Sequence, residues 1–466
     1  MKIKENKDVF VSQLLSIAAV MFAFIAVRFL GTLISLLLVP IIAWMIWRVD
    51  IRWYPALLVS MAIDGYTTYA YLFVSFIVCI KKWSVLKTYP PIIRGLLAFL
   101  LIPIPALIAI CIRNWSYLSD TPSKAIEPLL MYFGVFPFFF GLLIAREISK
   151  RDIWMIMYVC GLLMAMQFIA PSMVDGGGET MSSTIRVIFL TIPVVVCCMA
   201  YSWCNQNFLI VNLVSTFLIL GYILISAGNT FTILGSALVT CILGFLVKIR
   251  FKLVVKCATS VLPFAISIAF VVFVVANFEK YALQSYDRSL SYEELTDQWN
   301  WAAIKTRIQM KTYDDRAALW RASWRNVSEP PYWVPEVMVQ NVIYETVSGT
   351  YVESALSSHN QPLQILRTLR WGLGSFLIIG YVIISILGGR YLRLPLKRDD
   401  PLVPIIVATV TVSVIGFTTG HYPLLPTFSL MLMSFMGIGY GCYCQEIQTR
   451  KIKRIGASLP TNISVD

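Results

Sequence analysis

Residues 261–277 read VLPFAISIAFVVFVVAN, a run in which Ser267 is the only polar side chain before Asn277. With its upstream extension to residue 253 it has the length that a bilayer core of about 30 Å asks of a helix. Directly after it the chain turns polar. It stays so from 278 to 371, closing on Ser357-Ser358-His359-Asn360-Gln361-Pro362-Leu363-Gln364 before apolar sequence resumes beyond Trp371.

Comparable apolar stretches recur on both sides, near 10–27, 29–47, 55–80, 91–113, 127–146, 152–171, 183–204, 206–226, 228–248, 372–390, 401–420 and 424–444. Their length and continuity predict helices, since the strands of a membrane barrel would be short and alternating. The composition agrees: 58% hydrophobic, 14% charged, mean hydropathy +0.74. The expected fold is an all-α polytopic membrane protein of about twelve transmembrane helices (12–13) with one large, partly helical outer loop. Residues 1–277 form an N-terminal bundle, 278–371 the loop, and 372–466 the C-terminal helices and tail.

The net charge of +13 falls mostly in short connections and reads as a topology signal, with no nucleic-acid partner implied. Lys/Arg clusters occur at Lys81-Lys82-Lys87, Arg146-Lys150-Arg151, Lys248-Arg250-Lys252, Arg390-Arg393-Lys397-Arg398 and Arg450-Lys451-Lys453-Arg454. All five fit one cytoplasmic face, which puts 278–371 and both histidines, His359 and His421, outside. A basic N-terminal tail on the cytoplasmic side then requires that either 10–27 or 29–47 fail to cross.

The ten cysteines lie in or beside apolar stretches, so the outer loop carries no disulfide framework. Cys442 and Cys444 lack the further ligands of a zinc site. No cleavable signal peptide is expected, because the stretch from Phe10 runs on without a small-residue cleavage site. Walker, His-Glu-x-x-His and Asp-x-Asp patterns are absent from the sequence. Neither a metal nor a cofactor is expected.

Within the loop, Trp299, Trp301, Trp320, Trp324 and Trp333 together with balanced charges predict folded structure. A helix is expected over 292–328, ending before Pro330-Pro331, with Arg316, Trp320 and Trp324 on one face. Residues 334–352 should be extended, and Glu353 to Arg370 helical. The basic set Lys305, Arg307, Lys311, Arg316, Arg321 and Arg325 suits phosphate oxygens through guanidinium forks, with tryptophans to stack on sugars. A solvated helix face with interface anchors explains the same residues.

His359 has the chemistry of a general base toward a sugar hydroxyl. A satisfied structural histidine is the ordinary alternative, and Asn360 suits a helix cap or a partner for the imidazole. His421, in a tight turn before Pro423, reads first as a turn residue. Asp64 and Arg186 are ionisable groups inside apolar stretches, which are costly unless partnered or facing a wet cavity. Arg186 is the candidate to meet phosphate there.

Two local patterns resemble a known family, the O-antigen ligase and polymerase superfamily of bacterial polysaccharide assembly. Arg316-Ala317-Ala318-Leu319-Trp320, with Pro330 beyond, is similar to its Arg-x-x-x-Trp helix. His359-Asn360-x-x-Leu363-Gln364 is similar to its His-Asn-x-x-Leu-Gln, and the resemblance spans roughly 220–445. It implies an undecaprenyl-diphosphate-linked glycan donor held by Arg316. His359 would activate an acceptor hydroxyl on a second glycan or on lipid A-core, at the periplasmic face of the bacterial inner membrane. Other polysaccharide-assembly proteins are implied partners. The chain departs from the pattern at Ser226-Ala227-Gly228-Asn229, where an arginine is usual and Arg186 is the substitute. It departs again at Pro331-Tyr332-Trp333 in place of Gly-x-Gly, at Thr368 in place of an acid, and at the displaced Gly372 and Gly374.

The reading is therefore a metal-independent glycosyltransferase with catalytic His359 and Arg316, and with Arg186, Arg321, Arg325, Asn360, Trp320 and Trp324 at the substrate. Polymerase is favoured over ligase by the departures. A lipid-linked glycan flippase is the rival from another class, against which stands the lack of an internal repeat. A polyprenyl-monophosphate mannosyltransferase is a third reading, with Asp50 as its outer-loop acid.

Overall fold

The computed structural model describes residues 32–60, 65–117, 122–149, 231–249, 252–277, 316–330, 332–333, 342–345, 351–354, 360–395, 400–419 and 426–457, with short pieces inside 11–22 and 152–160 and Thr306. Their regular secondary structure is helical apart from one two-stranded hairpin. The helices are α1 (Thr32–Arg48), α2 (Tyr54–Ser60), α3 (Gly65–Lys81), α4 (Pro91–Leu101), α5 (Ile104–Tyr117), α6 (Pro122–Phe133), α7 (Pro137–Ala145), α8 (Phe231–Lys248), α9 (Leu262–Ala276), α10 (Ala318–Ser328), α11 (Gln361–Gly389), α12 (Leu402–Thr419) and α13 (Pro426–Ala457). Among the described residues three stretches are long and apolar enough to cross a membrane: Pro91–Arg113, Pro128–Ala145 and Gln361–Arg393.

The core forms around α7, all nine of whose residues are buried. It can pack on every side because its neighbour α13 presents glycine where α7 comes closest. A Cβ on Gly437 would stand 2.0 Å from the Phe138 carbonyl oxygen, and one on Gly141 2.2 Å from that of Ser434. Backbones this close pack the two helices tightly along this stretch.

The basic clusters gather at one end of the bundle. Arg146 donates to Thr88 Oγ1, and Gln445 Nε2 donates to the Ala145 carbonyl at 2.9 Å. Gly388 abuts Met436, while Arg393 donates to both Thr259 Oγ1 and the Thr259 carbonyl. Gln13 joins the same end, donating to Asp152 Oδ1 at 2.9 Å.

The expectation for 55–80 as one crossing is corrected. Tyr54 and Tyr71 both meet the Phe140 ring, at centroid distances of 6.5 and 5.6 Å. A continuous helix would hold two residues so spaced about 25 Å apart. The chain therefore turns back between α2 and α3, and Lys81 ends beside Trp47, its Nζ 3.6 Å from the ring centroid. Asp50 lies at that same end. It caps a 3-10 turn, accepts from the Arg52 backbone and pairs with the Arg52 side chain, and Arg52 in turn feels the charge of Glu147. The outer-loop place assumed for Asp50 is thus wrong for this fold. Asp64 lies outside the described residues.

At the opposite end, α9 finishes at Asn277, and α10, the hairpin and the start of α11 stand together. The described part of the expected helix 292–328 is Ala318–Ser328, entered through a π turn at Arg316-Ala317. It stops where Glu329, preceding Pro330, is forced extended (φ −98°, ψ 147°). Within 334–352, Val342–Glu345 pairs antiparallel with Tyr351–Ser354. That strand takes Glu353 away from the helix expected over 353–370, which starts at Gln361. Proline is tolerated in a first turn and not in an interior, so Pro362 fixes the start.

Candidate functional site

Asn360 sets the site. Its backbone is extended (φ −150°, ψ 117°), and its Oδ1 accepts from the Leu363 N–H at 3.0 Å, so it is the N-cap of α11. Such a cap contributes about 1 kcal/mol and is buried here, which fixes the turn one residue after His359. His359 itself, His421, Arg186, Lys305, Arg307 and Lys311 lie outside the described residues.

Against that turn stands the arginine motif. Ala317, next to Arg316, shares a buried cluster with Trp320, Leu363 and Val274 at the end of α9. The two stretches that resemble the family, more than forty positions apart in the sequence, are thereby side by side. Helix formation alone cannot do this; burial of Trp320 between α9 and α11 does.

The expected common face of Arg316, Trp320 and Trp324 is divided by burial. Trp320 is 1% exposed and Trp324 44%. Trp320 therefore offers no open ring face to a sugar in this structure, and its indole Nε1 and the nearby Ser323 Oγ are buried without a hydrogen-bond partner among the described residues. Trp324 stands edge-on to Trp371, with centroids 6.1 Å apart at 89°. Arg321 is half-buried and Arg325 exposed on the same helix.

Beneath this polar rim lies a cavity of about 480 Å³. Its walls are Ser267, Val271 and Val275 of α9, Leu363, Leu366 and Trp371 of α11, Trp324, and Phe417 of α12, with Asn360 at the polar end. Neighbouring residues of α9, Ile266, Val272 and Phe273, are more than half exposed. An apolar cleft beside such a face accepts hydrocarbon, and its polar end accepts a head group.

Three consecutive residues of α11 grip the last turn of α10 and the segment after it. Arg370 Nη1 donates to the Asn326 carbonyl at 2.5 Å. The Trp371 N–H donates to the Tyr332 carbonyl at 2.8 Å, and its indole Nε1 to that of Val327 at 3.2 Å. A Cβ at Gly372 would stand 2.3 Å from the Trp333 carbonyl oxygen. Two of the departures noted in the sequence, Tyr332-Trp333 and the displaced Gly372, thus pack on each other. Arg370 sits at φ 57°, ψ 178°, a conformation almost reserved for glycine that costs an arginine about 1–3 kcal/mol.

Sequence reasoning missed this grip. A visible signal was the pair Arg367 and Arg370 at the mouth of an apolar run, since arginines placed there need partners. Both are buried, at 3% and 5% exposure.

No protein-family model matches the chain, and neither the curated proteins nor the solved structures show a significant similarity to it. The described fold and site define a helical protein with three helices long and apolar enough to cross a membrane, a polar cap at one end and an apolar cleft below it.

Proposed function

We propose that the protein is a glycosyltransferase of the bacterial inner membrane that moves an undecaprenyl-diphosphate-linked oligosaccharide onto a sugar hydroxyl at the periplasmic face. One observation carries the reading: the Arg316-Ala317 turn packs beside the Asn360 cap of α11, the residue that follows His359 in the sequence, at the polar end of an apolar cleft. A lipid-diphosphate donor needs that order of parts, hydrocarbon wall first and cation with base at its polar end. Arg316 would hold the diphosphate, with Arg321, Arg325 and Arg186 as further contacts, and Trp324 would line the passage of the lipid or first sugar. His359 would take the proton of the acceptor hydroxyl as its oxygen attacks the anomeric carbon and the lipid diphosphate leaves. General base catalysis of this kind contributes about 10²–10⁴-fold.

The basic end of the bundle supports the orientation, because Lys and Arg stay cytoplasmic. With 54–81 turning back to the side it came from, 10–27 and 29–47 both cross, and twelve crossings leave both termini cytoplasmic. Between acceptors we favour a second lipid-linked repeat unit, which makes the enzyme a polymerase; lipid A-core would make it a ligase. Glycan analysis after deletion of the protein separates the readings. Single-repeat product supports a polymerase and unlinked polymer a ligase, whereas lipid-linked units trapped in the cytoplasm would show a flippase.

A further inference from the structure

Arg370 stands at the junction where the outer turn region of α11 becomes its membrane portion. The helix is continuous on either side, and only this residue leaves helical geometry. Glycine would take φ 57° freely, yet the position holds one of the longest side chains, folded inward and 5% exposed. The kink turns the guanidinium onto the Asn326 carbonyl, in the last turn of α10. That is the end at which a cation is favoured by the helix dipole. Glu329, just beyond, adds its charge.

We propose that Arg370 is a positioning residue, whose tie to the end of α10 sets Arg316 at the start of that helix against the Asn360 cap of α11. The inference rests on the transferase reading for its functional consequence and on geometry alone for the tie. An eleven-residue helix is rigid enough to carry register from one end to the other, and α10 is fixed at both: Trp320 is buried against α9 and α11 at one end, and Arg370 and Trp371 grip the other. The strained backbone persists because the guanidinium bond and the Trp371 bonds to Val327 and Tyr332 over-determine it.

Arg370→Gly separates the tie from ordinary stability, because it removes the guanidinium and relieves the strained φ together. The full-length variant in lipid nanodiscs is expected to melt no lower than the parent. Its amide hydrogen exchange across 318–328 should be at least tenfold faster. Its kcat for extending the cell's own undecaprenyl-diphosphate-linked glycan should fall at least tenfold, with KM changing less than threefold. Arg370→Lys, which keeps the charge but not the fork, should recover part of the loss. Unchanged exchange across 318–328 overturns the tie whatever the activity. Faster exchange with parental kcat, in a protein that His359→Ala inactivates, overturns the positioning role. So does a fall in activity that only tracks a fall in folded protein. A fully active His359→Ala variant removes the base assignment only; no glycan transfer by the parent protein sinks the transferase reading instead, and the exchange measurement then decides the tie alone.

Discussion

Lys81 and Trp47 meet through a cation–π contact, with the ammonium nitrogen 3.6 Å from the ring centroid. The contact puts the ends of α1 and α3 on one side of the bundle, although a single crossing between them would put them on opposite sides. Arg48 over Trp44 and Trp44 against Trp53 continue the same band of aromatic and basic side chains. Such bands form where a helix leaves hydrocarbon for head groups.

This arrangement predicts the outcome of side-specific labelling. Single cysteines placed at Val49 and at Ser84, in a chain without native cysteines, are expected to react from the same side as one placed at Glu147. Labelling of position 49 from the opposite side would restore a single crossing over 55–80.

Close backbone contact between α7 and α13 leaves no room for a methyl group. Gly437→Ala would put its Cβ against the Phe138 backbone, which cannot swing aside as a side chain can. A loss of about 1–3 kcal/mol is expected, typical of overpacked cores, seen as a lower melting temperature in detergent. Gly95→Ala, where no atom lies within 4 Å of the added carbon, serves as the neutral control.

Narrowing the apolar cleft tests what it holds. Val271→Trp and Leu366→Phe fill the cavity that both residues line without touching the polar rim. If the cleft receives the donor lipid, KM for the lipid-linked donor rises about tenfold while kcat changes little, because the lost contacts are made equally in ground and transition states. An equal fall in kcat would place the cleft in the chemistry instead.

At the rim, His359→Ala is expected to lower transfer by about 10²–10⁴-fold with normal membrane insertion. Arg316→Lys should lose most of the benefit of Arg316, since a point charge does not replace a fork on two phosphate oxygens. In vitro polymer length and rate measure both, and a fully active His359→Ala variant removes the base assignment.

Asp50 offers a check by pH. Burial alone would raise its carboxyl, but the hydrogen bonds and charge of Arg52 outweigh this and hold it below the usual carboxylate range. A depressed folded value means that the stabilisation is present above the unfolded pKa and is lost as pH falls through the folded one. Arg52 is exposed and Asp50 half-buried, so solvent screens the pair, and Asp50→Asn should cost no more than about 1 kcal/mol at neutral pH and nothing in strong acid, measured by thermal melts across that range.

Helix class was legible because apolar runs of span length have few other solutions in a bilayer. The grouping of basic clusters was legible for the same reason of charge cost. Strand pairing inside 334–354 was only half visible, since Val, Ile and Tyr enrichment marks extension without naming a partner.

By itself, then, the sequence determined where the chain is apolar, where it is charged, and that Arg316 and His359 sit in the one long polar segment. Those are properties of composition and spacing, which solvation reads directly. Tertiary structure alone decided that 54–81 turns back and that Trp320 is core while Trp324 is not. It decided too that Arg370 reaches the end of α10. Each of these depends on which surface packs against which, and packing joins residues whose separation along the chain carries no signal of their contact.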